Sequence, residues 1–414
     1  MNIGIIGSGP AGCYLADHLL RLAPDATVDI LEKLPVPFGL IRYGVAPDHQ
    51  STKNVARLLD RLLSRDRVHF FGNVEVGRDV KLDELRELYD VVVLATGAPR
   101  DRRLSIPGED VNGVMGSGAF VGWYNGHPHS QTPAVNNVSS AVIIGNGNVA
   151  LDVARVLAKG REELTGSDLP HAALAWLVAQ PITDIHIVGR RSVADTKFNE
   201  HELAELGTLQ RATPRIAKAD DLSPDGAVGK VFRNFADAAQ RATPVSIHFH
   251  FNLTPTAFLG DDRLRTVQFR SASGEIREIP AQIAVTCIGY QSANCCSASP
   301  ENGVFANDNG RIADRLYVVG WAKRGPSGTI PTNRVEAQQV AQKIVAQAQA
   351  GDRPGTARLR ELLQQRGCRL VDYAGWKRID AAELSCGNNE RCRKKLGSID
   401  EMLEIAMAEQ PAPS

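Results

Sequence analysis

Two stretches of this chain repeat one pattern: a short apolar run, a glycine turn, then an amphipathic run. The first is "IGIIGSGPAGCYLADHLL" (residues 3–20) and the second is "SAVIIGNGNVALDVARVLA" (residues 140–158). A continuous apolar run bounded by a turn fits a strand buried on both faces of a parallel sheet. The periodic run after the turn fits a helix packed back on that sheet. Each stretch is followed by another strand candidate, "TVDILEK" (27–33) and "DIHIVGRRS" (184–192). Strand, turn, helix, strand is the unit of a doubly wound sheet. Two such units predict an α/β chain with two Rossmann-like dinucleotide-binding domains, and 414 residues leave ample room for both.

The turns themselves differ little. In G-x-G-x-x-G one glycine makes the tight bend, one lets backbone approach a pyrophosphate, and one lets helix pack on strand. The first turn supplies Gly7, Gly9 and Gly12, with Pro10 and Ala11 between the last two, and leads into a helix read over Cys13–Leu22. The second supplies Gly145 and Gly147, with Asn146, Asn148 and Val149 between them and Ala150, a substitution the pattern tolerates.

What separates the two is the end of the next strand. After the first turn that end carries Glu32, whose carboxylate accepts bonds from a ribose diol and repels a 2′-phosphate. An unphosphorylated adenosine, that of FAD or NAD, is expected there. After the second turn it carries Arg190 and Arg191, and guanidinium forks suit a phosphate dianion. NADP(H) is expected there. The interval from turn to arginines is long, so residues 160–183 are read as an excursion that returns before the strand.

Lys+Arg and Asp+Glu balance at 47 each, so nothing global favours a nucleic acid or an anionic membrane. Seven cysteines without repeated spacing fit a reducing compartment rather than a disulfide scaffold. No apolar run reaches the roughly 18 residues of a spanning helix, and the first turn begins at Gly7. The sequence therefore reads as cytoplasmic. "YDVVVLATGA" (89–98) and "AQIAVTCIGY" (281–290) are further buried strands, while "PVSIHFHFN" (244–252) and "RTVQFRS" (265–271) alternate as antiparallel strands do.

Several segments narrow the reading. They are "LPVPFGLIRYGVAPDHQSTKN" (34–54), "FFGNVEVG" (70–77), "IPGEDVNGV" (106–114), "FVGWYNGHP" (120–128), "GNGNVALDVARVL" (145–157), "VGRRS" (188–192) and "VVGWAKRGPSG" (318–328). Together they resemble the adrenodoxin-reductase-like ferredoxin–NADP⁺ reductases, over most of residues 1–205 and 280–409. The resemblance implies an FAD domain from residues 1–105 and 305–414, with an NADP domain from 106–304 inserted between them. It implies FAD contacts from Gly7, Gly9, Pro10, Ala11, Gly12, Glu32, Lys33, Leu40, Val76, Trp321, Gly328, Thr329 and Ile330. It implies NADP contacts from Gly145, Asn146, Gly147, Asn148, Val149, Arg190, Arg191, Glu202 and Gly328.

The activity implied is NADPH:ferredoxin oxidoreduction, with an acidic iron–sulfur ferredoxin as partner, no metal in the protein itself, and a monomeric enzyme. His49 in "APDHQ", Asp152 and Glu205 match positions tied in that family to catalysis or partner communication. Each also has a plain structural reading, as loop brace, helix acid or surface charge. An NADPH diaphorase or flavin reductase serving another acceptor, and a non-catalytic flavin- and NADPH-binding sensor, are the competing functions.

Two features depart from the family. Pro331 stands in "GTIPTN" where relatives carry a small residue; it removes an N–H and biases Ile330 toward an extended backbone. Cys386 and Cys392 flank "GNNER", with Cys295 and Cys296 elsewhere, and free thiols are expected for them. Arg391, Arg393, Lys394 and Lys395 follow as a candidate basic patch for the acidic partner.

Overall fold

The computed structural model describes residues 1–216, 226–237, 241–294 and 299–408; Cys295 and Cys296 lie outside them. The chain forms two compact units, one of residues 1–45, 49–100 and 290–414, the other of residues 46–48 and 101–289. The return to the first unit comes at Tyr290, ahead of the expected residue 305, and Ala46–Asp48 belong with the second unit.

In the first unit the strands Leu316–Val318, Val91–Leu94, Asn2–Ile6, Thr27–Glu32 and Val68–Gly72 lie side by side in that order, all parallel. Arg311–Ala313 adds an antiparallel edge. Both faces are buried. Ile3, Ile5, Val28 and Ile30 pack under the Pro10–Leu22 and Ile330–Gln347 helices, while Ile6, Leu31, Val92 and Leu94 meet Leu82, Leu85, Leu359 and Leu363 on the other side. Two buried faces explain why these strands are unbroken apolar runs.

In the second unit six strands are all parallel, in the order Val114–Gly116, Ile283–Thr286, Ser140–Ile144, Asp184–Val188, Val245–His250 and Ala212–Ile216. The strands Leu253–Leu259, Thr266–Ser271 and Ile276–Pro280 form a separate antiparallel sheet. Its Phe258, Val267 and Phe269 join Val142, Ile144 and Val188 in one buried cluster. The excursion at 160–183 contains the His171–Ala179 helix.

The expected antiparallel character of 244–252 is corrected here: Val245–His250 is a parallel strand, with Ser246 opposite Asp184 and His248 opposite His186. It alternates because its two faces differ. Val245, Ile247 and Phe249 enter the core, while His248 and His250 stand with His186 on the other face. There His186 Nδ1 and His250 Nε2 are 3.1 Å apart, and His248 Nε2 is 2.8 Å from Asp184.

Candidate functional site

The first turn is shaped by steric demands that glycine alone meets. Gly7 has φ +112°, and a Cβ there would sit 2.4 Å from the Ala95 carbonyl oxygen. A Cβ on Gly12 would sit 2.2 Å from the Gly7 carbonyl oxygen. Gly9 is different: its backbone is extended (φ −66°, ψ 177°) and a Cβ would meet nothing within 4 Å. Neither conformation nor internal packing requires glycine at residue 9. The open space there leaves room for the close backbone approach of a pyrophosphate.

Gly9 caps the Pro10–Leu22 helix with no side-chain hydrogen bond, so the first turn presents its backbone N–H groups and positive dipole end to that open side. Glu32 is fixed beside it, accepting from the Ser8 N–H (3.1 Å), the Ser8 hydroxyl (2.7 Å) and the Leu34 N–H (3.3 Å). These residues fit the pyrophosphate and ribose of an adenine dinucleotide.

The rest of the first unit converges on this turn. The Phe38 N–H donates to Ser8 O at 3.2 Å, and a Cβ on Gly39 would lie 3.2 Å from Gly9 Cα, which brings the exposed Leu40 next to the glycines. Lys33 follows Glu32 and is exposed. The Val74 N–H donates to Glu32 O at 2.9 Å, so Val76 follows closely on that strand end. Gly320, at φ +74°, passes so near Ala11 that a Cβ would lie 2.6 Å from the Ala11 methyl. Trp321 then stacks on Tyr290 with ring centres 5.7 Å apart, and its Nε1–H donates to Ser327 O at 3.1 Å, beside Gly328.

A buried acid missed in the sequence holds this turn. Glu336 accepts from the Gly320 N–H (2.9 Å), from Lys323 (3.0 Å) and from Arg324, and Arg324 also reaches Asn333 at 2.9 Å. Thr329 is extended, and its N–H donates to Thr332 Oγ1 at 3.1 Å. Ile330 is the first residue of the helix, with Pro331 in its first turn. The expected extension of Ile330 is thus corrected. At a helix start the proline N–H has no intrahelical acceptor to lose, and the helix forms through the preceding residue.

The second turn repeats the logic in the second unit. Gly145 has φ +149°, and a Cβ would lie 2.3 Å from the Cys287 carbonyl oxygen. Gly147 is extended (φ −126°, ψ 173°), with nothing within 4 Å of a Cβ, and caps the Asn148–Ala158 helix without a side-chain bond. Ala150 is fully buried, so its methyl is accommodated where the first turn has Gly12.

Residues 189–202 fold back over this turn. The Asn146 side chain packs on Gly189, where a Cβ would lie 1.7 Å from its nitrogen, and its Oδ1 is buried without a partner among the described residues. Asn148 Oδ1 accepts the Asn199 N–H at 2.7 Å. Asn199 in turn caps the Glu200–Glu205 helix, whose first turn holds Glu202. Arg190 and Arg191 are exposed at the strand end and make no ion pair with a described residue. Open glycine, uncapped helix, orphaned amide oxygen and two unpaired guanidiniums fit a phosphorylated dinucleotide. Val149 lies in the first turn of the helix, and Gly328 belongs to the other unit.

Of the three catalytic candidates, Asp152 and Glu205 come together around a residue the sequence reading passed over. Arg155 is almost fully buried and pairs with Asp48, with Asp152 and, at 3.7 Å, with Glu205. Lys159 adds a second cation on Asp48 at 2.7 Å. Burial pushes the Asp48 carboxyl up, but Arg155 and Lys159 outweigh it and hold it at about 2. Asp152 and Arg155 stand three residues apart on one helix, a signal the sequence did contain. His49 is in the first unit, before the Gln50–Lys53 helical turn, and its carbonyl accepts the Lys53 N–H at 3.1 Å.

The candidate basic patch is corrected. Lys395 is buried with its ammonium 3.2 Å from the Arg42 carbonyl, and Arg393 pairs with Asp380 and Glu383 at 2.9 and 3.2 Å. The chain here returns to the Tyr373–Ser385 helix, whose Asp380 and Glu383 take up the Arg393 charge, while Lys394 stays exposed. Cys386 and Cys392 are exposed, and these two with Cys13, Cys287 and Cys368 form no disulfide among the described residues. Burial drives the Cys13 and Cys287 thiols well above their ordinary range, so neither is a reactive thiolate. Among the described residues no group of three or more His, Cys, Asp or Glu is arranged to hold a metal, and no helix is long and apolar enough to cross a membrane.

Comparison with known proteins agrees with this geometry. Residues 1–343 match the family described as pyridine nucleotide-disulphide oxidoreductase. Cindoxin reductase of Citrobacter braakii is 40% identical over 98% of this chain and 91% of its own length. The human mitochondrial NADPH:adrenodoxin oxidoreductase is 38% identical, over 98% of this chain and 91% of its own. The solved structure of Mycobacterium tuberculosis FprA in complex with NADPH superposes with a TM-score of 0.92 at 36% identity, covering 98% of this chain and 99% of that one. The chain belongs to the pyridine nucleotide-disulphide oxidoreductase family, among its adrenodoxin-reductase-like ferredoxin–NADP⁺ reductases.

Proposed function

We propose that this chain is an FAD-dependent NADPH:ferredoxin oxidoreductase, with FAD on the Gly7–Gly12 turn and NADPH on the Gly145–Ala150 turn. One observation carries the assignment: two turns with the same open glycine lead to strand ends of opposite charge, Glu32 and Arg190–Arg191. A flavin held there would supply the switch between a two-electron hydride donor and a one-electron iron–sulfur acceptor.

The chain's own residues bind and orient. Glu32 accepts ribose hydroxyls and repels a 2′-phosphate. Arg190 and Arg191 fork onto that phosphate, and Glu202 lies on the segment that closes over the second turn. Gly328, Thr329 and Ile330 lead into an 18-residue helix whose positive end favours an electron-rich ring. Leu40, Val76 and Trp321 are apolar contacts for that ring system. Arg155 fixes Asp152 and Glu205, and His49 is the third candidate, an imidazole next in sequence to Asp48.

The partner is an acidic ferredoxin and the enzyme acts as a monomer. The cationic docking surface is sought chiefly outside residues 391–395, where the charges of Arg393 and Lys395 are spent within the fold. Cytochrome c reduction by NADPH that depends on added ferredoxin tests the reading. Equal rates with and without ferredoxin favour a diaphorase instead, and no NADPH-driven ferricyanide reduction favours a sensor.

A further inference from the structure

Lys197 lies six residues beyond Arg191, and its backbone is fastened to the second glycine turn. Its N–H donates to Asn146 O at 2.8 Å, and it forms an isolated parallel bridge with Gly147. Residues paired across a parallel bridge send their Cβ bonds to the same face, with their Cα atoms about 4.8 Å apart. The face to which Lys197 sends its side chain is therefore the one on which Gly147 has nothing within 4 Å.

A lysine stem carries its ammonium roughly 6 Å from Cα, enough to reach over the neighbouring Gly147. Lys197 is exposed and makes no ion pair with a described residue. Lys159, Lys323, Lys343 and Lys377, by contrast, are all paired with carboxylates. A cation held by its backbone beside an open phosphate turn, with no ion pair to a described residue, is free to meet a ligand's phosphate.

We infer that Lys197 binds the pyrophosphate of the dinucleotide on the second turn. The inference rests on the assignment of that turn to NADPH. It divides the phosphate recognition by chemistry. The compact ammonium meets the pyrophosphate that NADPH and NADH share, while the planar guanidiniums of Arg190 and Arg191 meet the 2′-phosphate that only NADPH carries.

The test is steady-state ferricyanide reduction by the FAD-loaded protein, with KM for NADPH and for NADH measured on Lys197→Ala, Lys197→Arg and wild type. Lys197→Ala should raise both KM values by the same factor, about 3- to 10-fold. Lys197→Arg, which keeps the charge, should recover most of that loss. FAD content and Tm of both variants should match wild type, because the fastening bond is made by the backbone. Unchanged KM values in Lys197→Ala would overturn the inference, and so would a rise for NADPH alone, which belongs to the 2′-phosphate. If wild type itself shows no NADPH binding by equilibrium dialysis, the functional reading fails and this inference with it.

Discussion

Replacing Gly147 by alanine separates what the fold needs from what the ligand needs. The backbone there is extended, a conformation alanine adopts freely, and the added methyl meets no protein atom within 4 Å. The cost to folding is confined to a poorer helix cap, about 0.5–1 kcal/mol. For a unit of this size that lowers Tm by about 2–4 °C. The methyl does occupy the space assigned to the NADPH pyrophosphate, and overfilling a packed contact costs about 1–3 kcal/mol. That corresponds to about 5- to 150-fold weaker NADPH binding.

Gly145→Ala is the contrast. Its φ of +149° and a Cβ 2.3 Å from the Cys287 carbonyl strain the fold itself, so Tm falls much further. Gly9→Ala is the mirror image in the first unit and should reduce FAD retention while leaving the second unit's NADPH affinity intact. NADPH affinity by equilibrium dialysis, flavin content by absorbance, and Tm give the three readouts. A folded Gly147→Ala protein with wild-type NADPH affinity would refute the reasoning, as would a Tm loss equal to that of Gly145→Ala.

Other consequences follow from the buried charges and the departures from family pattern. Arg155→Met removes the cation that Asp48, Asp152 and Glu205 share, and should cost about 3–5 kcal/mol in urea denaturation. Because the folded Asp48 carboxyl sits at about 2, below its ordinary value, it contributes stability above pH 4 that is lost as pH falls toward 2. Arg155→Met should weaken that acid dependence, leaving the part that Lys159 sustains. Burial, with His248 and neighbouring charges adding to it, lowers His186 to about 3 and His250 to about 4. Both are therefore neutral in the fold but protonate near pH 6.5 when unfolded. Stability should decline below pH 6.5 by up to about 1.4 kcal/mol per pH unit for each, and His186→Gln with His250→Gln should flatten the slope. Pro331→Gly should change NADPH KM or the rate of flavin reduction without loss of FAD; kinetics identical to wild type would contradict this.

The two sheets, their helices and both turns were legible because each rests on local pattern: buried parallel strands are apolar runs, and glycine spacing reports a bend. The charge difference between Glu32 and Arg190–Arg191 was legible too, since it lies at a strand end that the pattern locates. What escaped depends on contacts distant in sequence. Asp48 meets Arg155 across more than a hundred residues, and nothing local announces that pair. Glu336 holds Gly320 through an acid that reads as an ordinary helix residue. Residues 391–395 read as a candidate basic patch, yet Arg393 folds back on Asp380 and Glu383 and Lys395 on the Arg42 carbonyl. The strand at 245–250 misled for a physical reason: a parallel strand with histidines on one face alternates like an antiparallel one.

The most direct test of the account is the specificity constant for NADPH and for NADH in the double variant Arg190→Ala with Arg191→Ala. Both guanidiniums are exposed, unpaired and at the strand end beside the second turn. In that variant kcat/KM for NADPH should fall by a far larger factor than kcat/KM for NADH, with FAD retained. Equal losses for the two would contradict the assignment of donor and acceptor to the two turns.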